Sequence, residues 1–170
     1  IYQCDWSSDV CSSDLNVSTA AAGFGKDFGL NKTEIGLVFS AFAYPYLVFQ
    51  IIGGWVSDRF GARRTLIACG LVWALATILT GMTWGLVSML VARVLLGLGE
   101  GATFPAATSA MSRWVPKANL GFAQGVTHAG ARIGNALAPA IIVMVMADYG
   151  WRTSFYVCGG ISLVWLVLWS

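Results

Sequence analysis

Five long apolar runs determine what this chain can fold into. Each is close to or above the length of about 20 residues that an α-helix needs to cross a hydrocarbon core of roughly 30 Å. Of the 170 residues, 57% are hydrophobic and 11% are charged, a composition that excludes an ordinary soluble domain. The sequence therefore predicts an all-α membrane protein, with spans at Thr33–Val56, Thr65–Gly81, Leu86–Trp114, Leu120–Ala147 and Trp151–Ser170.

The basic residues are concentrated in short turns between these spans. Four short connections are predicted: 57–64, 82–85, 115–119 and 148–150. Because short connections make consecutive helices antiparallel, alternate turns lie on the same side of the membrane. The Arg-rich turns 57–64 and 113–117 are alternate turns, and the positive-inside rule places both in the cytoplasm. A formal net charge of +2 with its bases confined to turns does not indicate a nucleic-acid partner.

The first 15 residues are unlike the rest of the chain. They are polar and aperiodic, and Asp5–Leu15 is the translation of a sequencing-library adapter, so we expect residues 1–15 to be an artefact. The native part is then 16–170, in which Asn16–Gly25 is too short to span and is expected to be the tail of a helix. Because the native part begins in the tail of a helix and the last apolar run reaches Ser170, we expect it to be truncated at both ends.

Local signals mark helix starts, helix contacts and span ends. Asn31 followed by Glu34 predicts a capping box at the start of the first span. Three pairs of glycines at i, i+4 spacing predict close helix contacts: Gly97/Gly101, Gly121/Gly125 and Gly130/Gly134. The tryptophans near span ends are interpreted as interface anchors: Trp84, Trp114 and Trp151. Cys69 and Cys158 lie inside apolar runs and are interpreted as small packing residues.

Three ionisable residues lie inside the predicted spans, where charge is costly and usually functional: Arg93, Glu100 and Arg132. Arg93 and Glu100 are seven residues apart and therefore project from one helix face. At a rise of 1.5 Å per residue, Arg93 lies roughly 10 Å and Arg132 roughly 12 Å from the outer face. We expect the two guanidiniums to converge on a planar anion, which each can bind through a bidentate fork.

Glu100 is a candidate proton carrier. A carboxylate in a low dielectric is costly when charged and takes up a proton more readily, while a nearby arginine favours its charged form. A group balanced between these effects can bind a proton on one side of the membrane and release it on the other. The alternative is a structural pair between Arg93 and Glu100, which a separation of roughly 10 Å along the helix axis makes strained.

A polar stripe runs along one face of the fourth span: Gln124, His128, Arg132 and Asn135. Such a face lines water or protein rather than lipid. Asn135 is a candidate substrate contact, and His128 is either a further proton carrier or a hydrogen-bonding neighbour. Tyr46 and Gln50 lie one turn apart on the first span and either bind a polyol or serve packing.

The residues do not indicate an enzyme. The chain contains no metal-ligand spacing, no nucleophile with its base, and no strand followed by a phosphate-binding glycine loop. No catalytic residue, metal site or cofactor is predicted.

Several motifs together resemble one family of membrane proteins. Gly54–Arg64 matches G-x-x-x-D-R-x-G-x-[RK]-[RK], the cytoplasmic loop motif of the major facilitator superfamily. Arg93–Gly97 resembles that superfamily's fourth-helix motif, and Gly130–Pro139 resembles its fifth-helix glycine motif. Further stretches are similar to the anion:cation symporter family: Phe39–Tyr44, Gln50, Gly97–Gly101, Phe104–Ala106 and Gly150–Arg152.

This resemblance implies part of an N-terminal six-helix bundle, namely helices two to six with the end of helix one. The remaining partners would be the missing helix one and the C-terminal half of the same polypeptide. Arg93 would match the family's helix-four arginine and Glu100 its proton-linked glutamate. A gating motif would latch the two halves, formed by Gly54, Asp58, Arg59, Gly61, Arg63 and Arg64.

The resemblance also implies a function. Family members take up sugar acids and other carboxylates with protons by alternating access, driven by the proton gradient, which suggests a bacterial inner membrane. The family's basic residue in helix one is absent here, and Pro45 introduces an expected kink, so the substrate stays open. Two alternatives are an organophosphate or phosphate antiporter of the same fold, and a non-transporting membrane receptor or assembly partner.

Overall fold

The fold is a bundle of antiparallel helices. A computed structural model describes residues 4–169, and their side chains from 16 to 168. Of these described residues, 92% are helical. A single 3₁₀ turn, Lys117–Asn119, interrupts the described α-helices, which are α1 Cys4–Asp27, α2 Lys32–Phe60, α3 Ala62–Gly81, α4 Leu86–Gly101, α5 Thr103–Trp114, α6 Leu120–Tyr149 and α7 Trp151–Trp169.

The described helices supply 5 segments long and apolar enough to cross a membrane: 32–60, 62–81, 86–114, 117–149 and 151–168. They coincide with the predicted spans, which confirms the all-α membrane fold. The predicted tail at Asn16–Gly25 is the later part of α1 and runs on to Asp27. The assignment of residues 1–15 to an adapter stays a prediction, and its first three residues lie outside the described part.

The start of α2 follows from its cap. The side chain of Asn31 accepts a hydrogen bond from the backbone N–H of Glu34 at 2.9 Å. The backbone N–H of Asn31 in turn donates to Glu34 Oε2 at 2.8 Å. The predicted capping box is therefore confirmed, and it fixes the N-terminal end of α2.

The predicted turn at 57–64 is almost entirely helical. α2 continues to Phe60 and α3 begins at Ala62, which leaves Gly61 as the link, with φ 91° and ψ 140°. Side chains with a Cβ rarely adopt positive φ, so glycine is needed at this position. The acidic and basic residues of the motif consequently lie on the facing ends of two helices rather than in a loop.

The third predicted span is divided into α4 and α5 at Ala102. The predicted span at 86–114 is confirmed as one membrane-length segment, and it consists of two helices rather than one. Pro105 has no N–H with which to bond the carbonyl of Gly101, four residues earlier, so the helical ladder is interrupted there. By contrast, α2 passes Pro45 without a break in its helical assignment.

Two apolar clusters hold the bundle together. One joins α3, α4, α5 and α7 around the buried Trp73 and Leu96. The other contains Phe24, Met89 and Phe155, with neighbours from the end of α1 and the starts of α2, α4 and α7. Because the end of α1 meets the starts of α2, α4 and α7 there, the second cluster marks the predicted outer end of the antiparallel bundle.

Glycines permit the closest approach between α2 and α4. A Cβ added at Gly97 would lie 2.5 Å from the carbonyl oxygen of Phe42, and one at Gly101 would lie 2.6 Å from that of Tyr46. The close contact predicted for this glycine pair is therefore confirmed. A Cβ added at Gly121 or Gly125, by contrast, would have no described neighbour within 4 Å, so that pair makes no close contact here.

Candidate functional site

Arg93 and Glu100 are buried on one side of α4. Arg93 is 1% exposed and Glu100 is 0% exposed. The intervening Gly97 contacts α2, whereas Gly99 contacts α3 at Trp73. The two ionisable side chains therefore project into the interior of a membrane-spanning bundle, which makes this side of α4 the centre of the candidate site.

Arg93 forms a hydrogen bond with a residue of α3. Its Nη2 atom donates a hydrogen bond to Thr80 Oγ1 at 3.2 Å, and both residues are buried. Sequence reasoning did not identify Thr80 as part of the site. A threonine in an apolar span carries little signal on its own, and only the pairing of α3 with α4 reveals its contact.

The predicted convergence of Arg93 and Arg132 is not observed. Arg93 is buried where α4 packs against α2 and α3. Arg132 is exposed on α6, which packs chiefly against α1 and α7. The rise per residue gives the depth of each arginine in the membrane. It does not show which helices are neighbours, so similar depth does not imply that the two side chains are close.

The polar stripe of α6 has contrasting environments along its length. His128 is exposed, and its ring stacks on Phe104 of α5 with 5.9 Å between centroids. Gln124 Nε2 donates to Thr108 Oγ1 at 3.5 Å, also on α5. Asn135 Oδ1 is buried and has no hydrogen-bond partner among the described residues. The stripe therefore combines an accessible imidazole with a buried, unsatisfied acceptor.

The polyol candidates on α2 are half-buried. Tyr46 stacks on Phe42, with 5.4 Å between ring centroids, and its backbone lies against Gly97 and Gly101. Gln50 follows one turn later and is also half-buried. Both residues belong to the helix that packs against α4, so they lie on the element next to Arg93 and Glu100.

The Gly54–Arg64 motif makes contacts within the described bundle. Asp58 Oδ1 accepts a hydrogen bond from Ser109 Oγ at 3.2 Å and forms an ion pair with Arg113 Nη2 at 3.5 Å. The guanidinium of Arg59 lies over the ring of Trp55 at 5.4 Å. The ends of α2 and α5 therefore meet, so the two basic turns lie at the same end of the bundle.

Trp151 departs from its predicted role as an interface anchor. It is 7% exposed and belongs to the outer apolar cluster. Its Nε1–H donates to Asp27 Oδ2 at 2.7 Å, and the guanidinium of Arg152 lies 4.8 Å from its ring centroid. Trp151 thus joins α7 to the end of α1, while Trp84 and Trp114 are exposed at helix ends as anchors should be.

The sequence of this chain is similar to those of known proteins. Residues 10–170 match the profile of the Major Facilitator Superfamily. A probable sulfoacetate transporter of Cupriavidus necator is 46% identical over 156 residues, covering 92% of this chain and 36% of that protein. A hexuronate transporter of Bacillus subtilis is 35% identical over 153 residues, covering 90% of this chain and 36% of that protein.

Solved structures share the fold. A D-xylose-proton symporter superposes with a TM-score of 0.83 over 98% of this chain and 46% of its own, at 14% identity. The chain spans about a third of the length of the relatives described above, 36% in each case. These relatives are transporters, which confirms the prediction that the chain is not an enzyme.

Proposed function

The chain belongs to the major facilitator superfamily, and from that premise we propose that it forms part of a proton-coupled importer of a small organic anion. The burial of Arg93 and Glu100 on one side of α4 is the observation that carries this proposal. Charged side chains inside a membrane are expensive and persist where a substrate, an ion or a proton uses them.

Arg93 and Glu100 have complementary roles in this proposal. The guanidinium of Arg93 supplies a permanent positive charge that attracts a carboxylate and can bind it through two parallel hydrogen bonds. Glu100 takes up a proton when the site opens to the outside and releases it when the site opens to the cytoplasm. Uptake of the anion thereby follows the proton gradient.

The similar proteins support an anionic substrate. Two of them are named as transporters of sulfoacetate and of hexuronates. Both compounds are small organic acids that carry a carboxylate. The buried Asn135 Oδ1 lacks a donor, and a hydroxyl group of a sugar acid is one group that could supply it. We therefore propose a sugar acid or another small carboxylate as the substrate class.

The remaining candidates line the proposed path of the anion. Arg132 and His128 are exposed on α6, where an anion can first meet positive charge, and His128 can also exchange protons with water. Tyr46 and Gln50 offer hydrogen bonds from α2. The substrate thus passes from an exposed cationic face to the buried arginine, rather than lying between two converging arginines.

Alternating access would move this bundle against a second half of the polypeptide around a midplane site. Gly54, Asp58 and the basic residues of the motif would latch the halves at the cytoplasmic end. In this structure Asp58 contacts Ser109 and Arg113 of the same bundle, so these contacts need not break when the two halves move. We place the protein in a bacterial inner membrane with both basic turns in the cytoplasm.

Replacement of Glu100 tests the proton role. In proteoliposomes containing the full-length transporter, Glu100→Gln should abolish accumulation of labelled glucuronate or sulfoacetate driven by an inward proton gradient. Exchange of labelled for unlabelled anion across the membrane should persist, because it needs no net proton movement. Glu34→Gln removes a carboxylate outside the site, in the capping box of α2, and should retain both activities.

The outcomes separate the proposal from its alternatives. Survival of driven accumulation in Glu100→Gln would contradict the role of Glu100. Uptake that ignores the proton gradient but requires internal phosphate would favour the antiporter. Binding of the anion without any flux in the unsubstituted protein would favour a membrane receptor.

A further inference from the structure

The side-chain hydroxyl of Thr80 donates one hydrogen bond and accepts another. Thr80 lies in the last turn of α3 and is 0% exposed. Its Oγ1–H donates to the backbone carbonyl of Ala76 at 2.8 Å. A hydroxyl has one proton and two lone pairs, so the proton is committed to the helix and the lone pairs are left to accept. Arg93 Nη2 donates to that same oxygen at 3.2 Å.

The chemical nature of this contact matters for an anion site. A carboxylate in the position of the Thr80 hydroxyl would neutralise Arg93 and compete with an incoming anion. A neutral hydroxyl fixes the direction of the guanidinium and leaves its charge in place. The bond also crosses from α3 to α4, so it ties the arginine to a helix that the sequence did not associate with the site.

We propose that Thr80 is a positioning residue for anion binding: it orients the guanidinium of Arg93 and thereby sets the affinity of the transporter for its substrate. This inference rests on the proposed role of Arg93 as the anion-binding residue. Thr80 itself touches neither substrate nor proton, and its effect reaches the anion only through Arg93.

The chain offers a matched control in Thr77. Thr77 lies one turn earlier on α3, is 1% exposed, and donates its hydroxyl to the backbone carbonyl of Trp73 at 3.0 Å. It therefore shares the residue type, burial and helix-directed hydrogen bond of Thr80. The hydrogen bond to Arg93 distinguishes the two threonines.

The experiment compares Thr80→Val, Thr80→Ser and Thr77→Val in the full-length transporter, reconstituted with glucuronate and sulfoacetate as probes. Loss of a hydrogen bond to a charged group corresponds to about tenfold in binding. Thr80→Val should therefore raise KM by about tenfold with a change in Vmax below about twofold. Thr80→Ser keeps the hydroxyl and should restore KM, and Thr77→Val should leave KM within about twofold of the parent.

A further variant and the pattern of the readouts distinguish a positioning role of Thr80 from a structural role. If Thr80→Val does not fold, Thr80→Ala removes the same hydroxyl without the second methyl group and takes its place. Equal KM values for the valine variants at positions 80 and 77 would overturn the inference. So would a Thr80→Val protein in which Vmax and melting temperature fall while KM is unchanged, because that pattern indicates a merely structural role.

A separate variant distinguishes failure of this inference from failure of the proposed function. Arg93→Gln should abolish saturable anion uptake. If Arg93→Gln transports the anion normally, the proposed function of Arg93 is wrong, and the role of Thr80 is wrong with it. If Arg93→Gln is inactive but Thr80→Val behaves like Thr77→Val, only the positioning role is wrong.

Discussion

Gly97 sets the distance between the two helices that flank the buried charges. A Cβ at this position would meet the carbonyl oxygen of Phe42 at 2.5 Å and the backbone nitrogen of Tyr46 at 3.2 Å. Both are backbone atoms, which cannot rotate away as a flexible side chain would. Any larger residue must therefore push α4 away from α2 and displace the side of α4 that carries Arg93 and Glu100.

Gly97→Ala should consequently destabilise the full-length protein. Overpacking in a well-packed interior costs about 1–3 kcal/mol, and this should appear as a lower melting temperature in detergent. Gly125→Ala is the matched control, because no described atom lies within 4 Å of the added carbon. The control should melt at the parent temperature or slightly above it, since alanine favours helix over glycine. Equal melting temperatures for the two variants would contradict this account of the contact.

Some residues of the candidate site can be predicted from the sequence, and others cannot. Burial of Arg93 and Glu100 could be expected, because charges in apolar runs are retained only inside the protein. Their i, i+7 spacing placed them on one side of α4 without any knowledge of other helices. Thr80 could not be found this way, since its contact with Arg93 depends on how α3 and α4 pack against each other.

Helices and their links were predicted with different success. Span lengths and the capping box at Asn31 follow from local sequence, and both are confirmed. The extent of the turn at 57–64 was overestimated, because polar residues at helix ends resemble loop residues in composition. The break at Ala102 was missed, although Pro105 provides a local signal for it.

Contacts between elements account for the largest error at this scale. Arg93 and Arg132 were expected to converge on an anion because they lie at similar depth on consecutive predicted spans. The bundle instead packs α4 against α2 and α3, and α6 against α1 and α7. Which helices become neighbours depends on the complementarity of whole helix faces, and this information is not contained in the position of any single residue.

The contact between α1 and α7 provides a test at the scale of elements. Trp151→Phe keeps an aromatic ring but removes the N–H that donates to Asp27. It should cost about 1 kcal/mol, measured as a lower melting temperature, because a net hydrogen bond of this kind contributes about that much. Adding Asp27→Asn to this variant should cause little further loss, since the bond is already absent.

Trp114→Phe is the control for this experiment. Trp114 is 85% exposed, so the same substitution there should leave the melting temperature unchanged. If Trp151→Phe and Trp114→Phe melt alike, the hydrogen bond does not stabilise the docking of α7 on α1.

Across the described bundle as a whole, one end carries the Gly54–Arg64 motif and the opposite end carries the apolar cluster around Phe24, Met89 and Phe155. The contact of Asp58 with Arg113 joins the two basic turns at a single end, as the alternation of spans required. Both side chains are largely exposed, so their ion pair adds little stability and can be exchanged easily.

In the proposed function, the full-length protein takes up an organic anion together with a proton. Buried Arg93 and Glu100 suggest that an anion and a proton cross the membrane together. Coupled entry of a proton would remove it from the outer solution each time an anion is taken up. That movement can be measured without any substitution.

The most direct measurement follows external pH while glucuronate or sulfoacetate is added to proteoliposomes containing the full-length protein. If a proton enters with each anion, the outer medium becomes more alkaline as labelled anion enters. A protonophore should then abolish accumulation above the external concentration. Anion uptake with no change in external pH, and with accumulation that survives the protonophore, would contradict proton coupling.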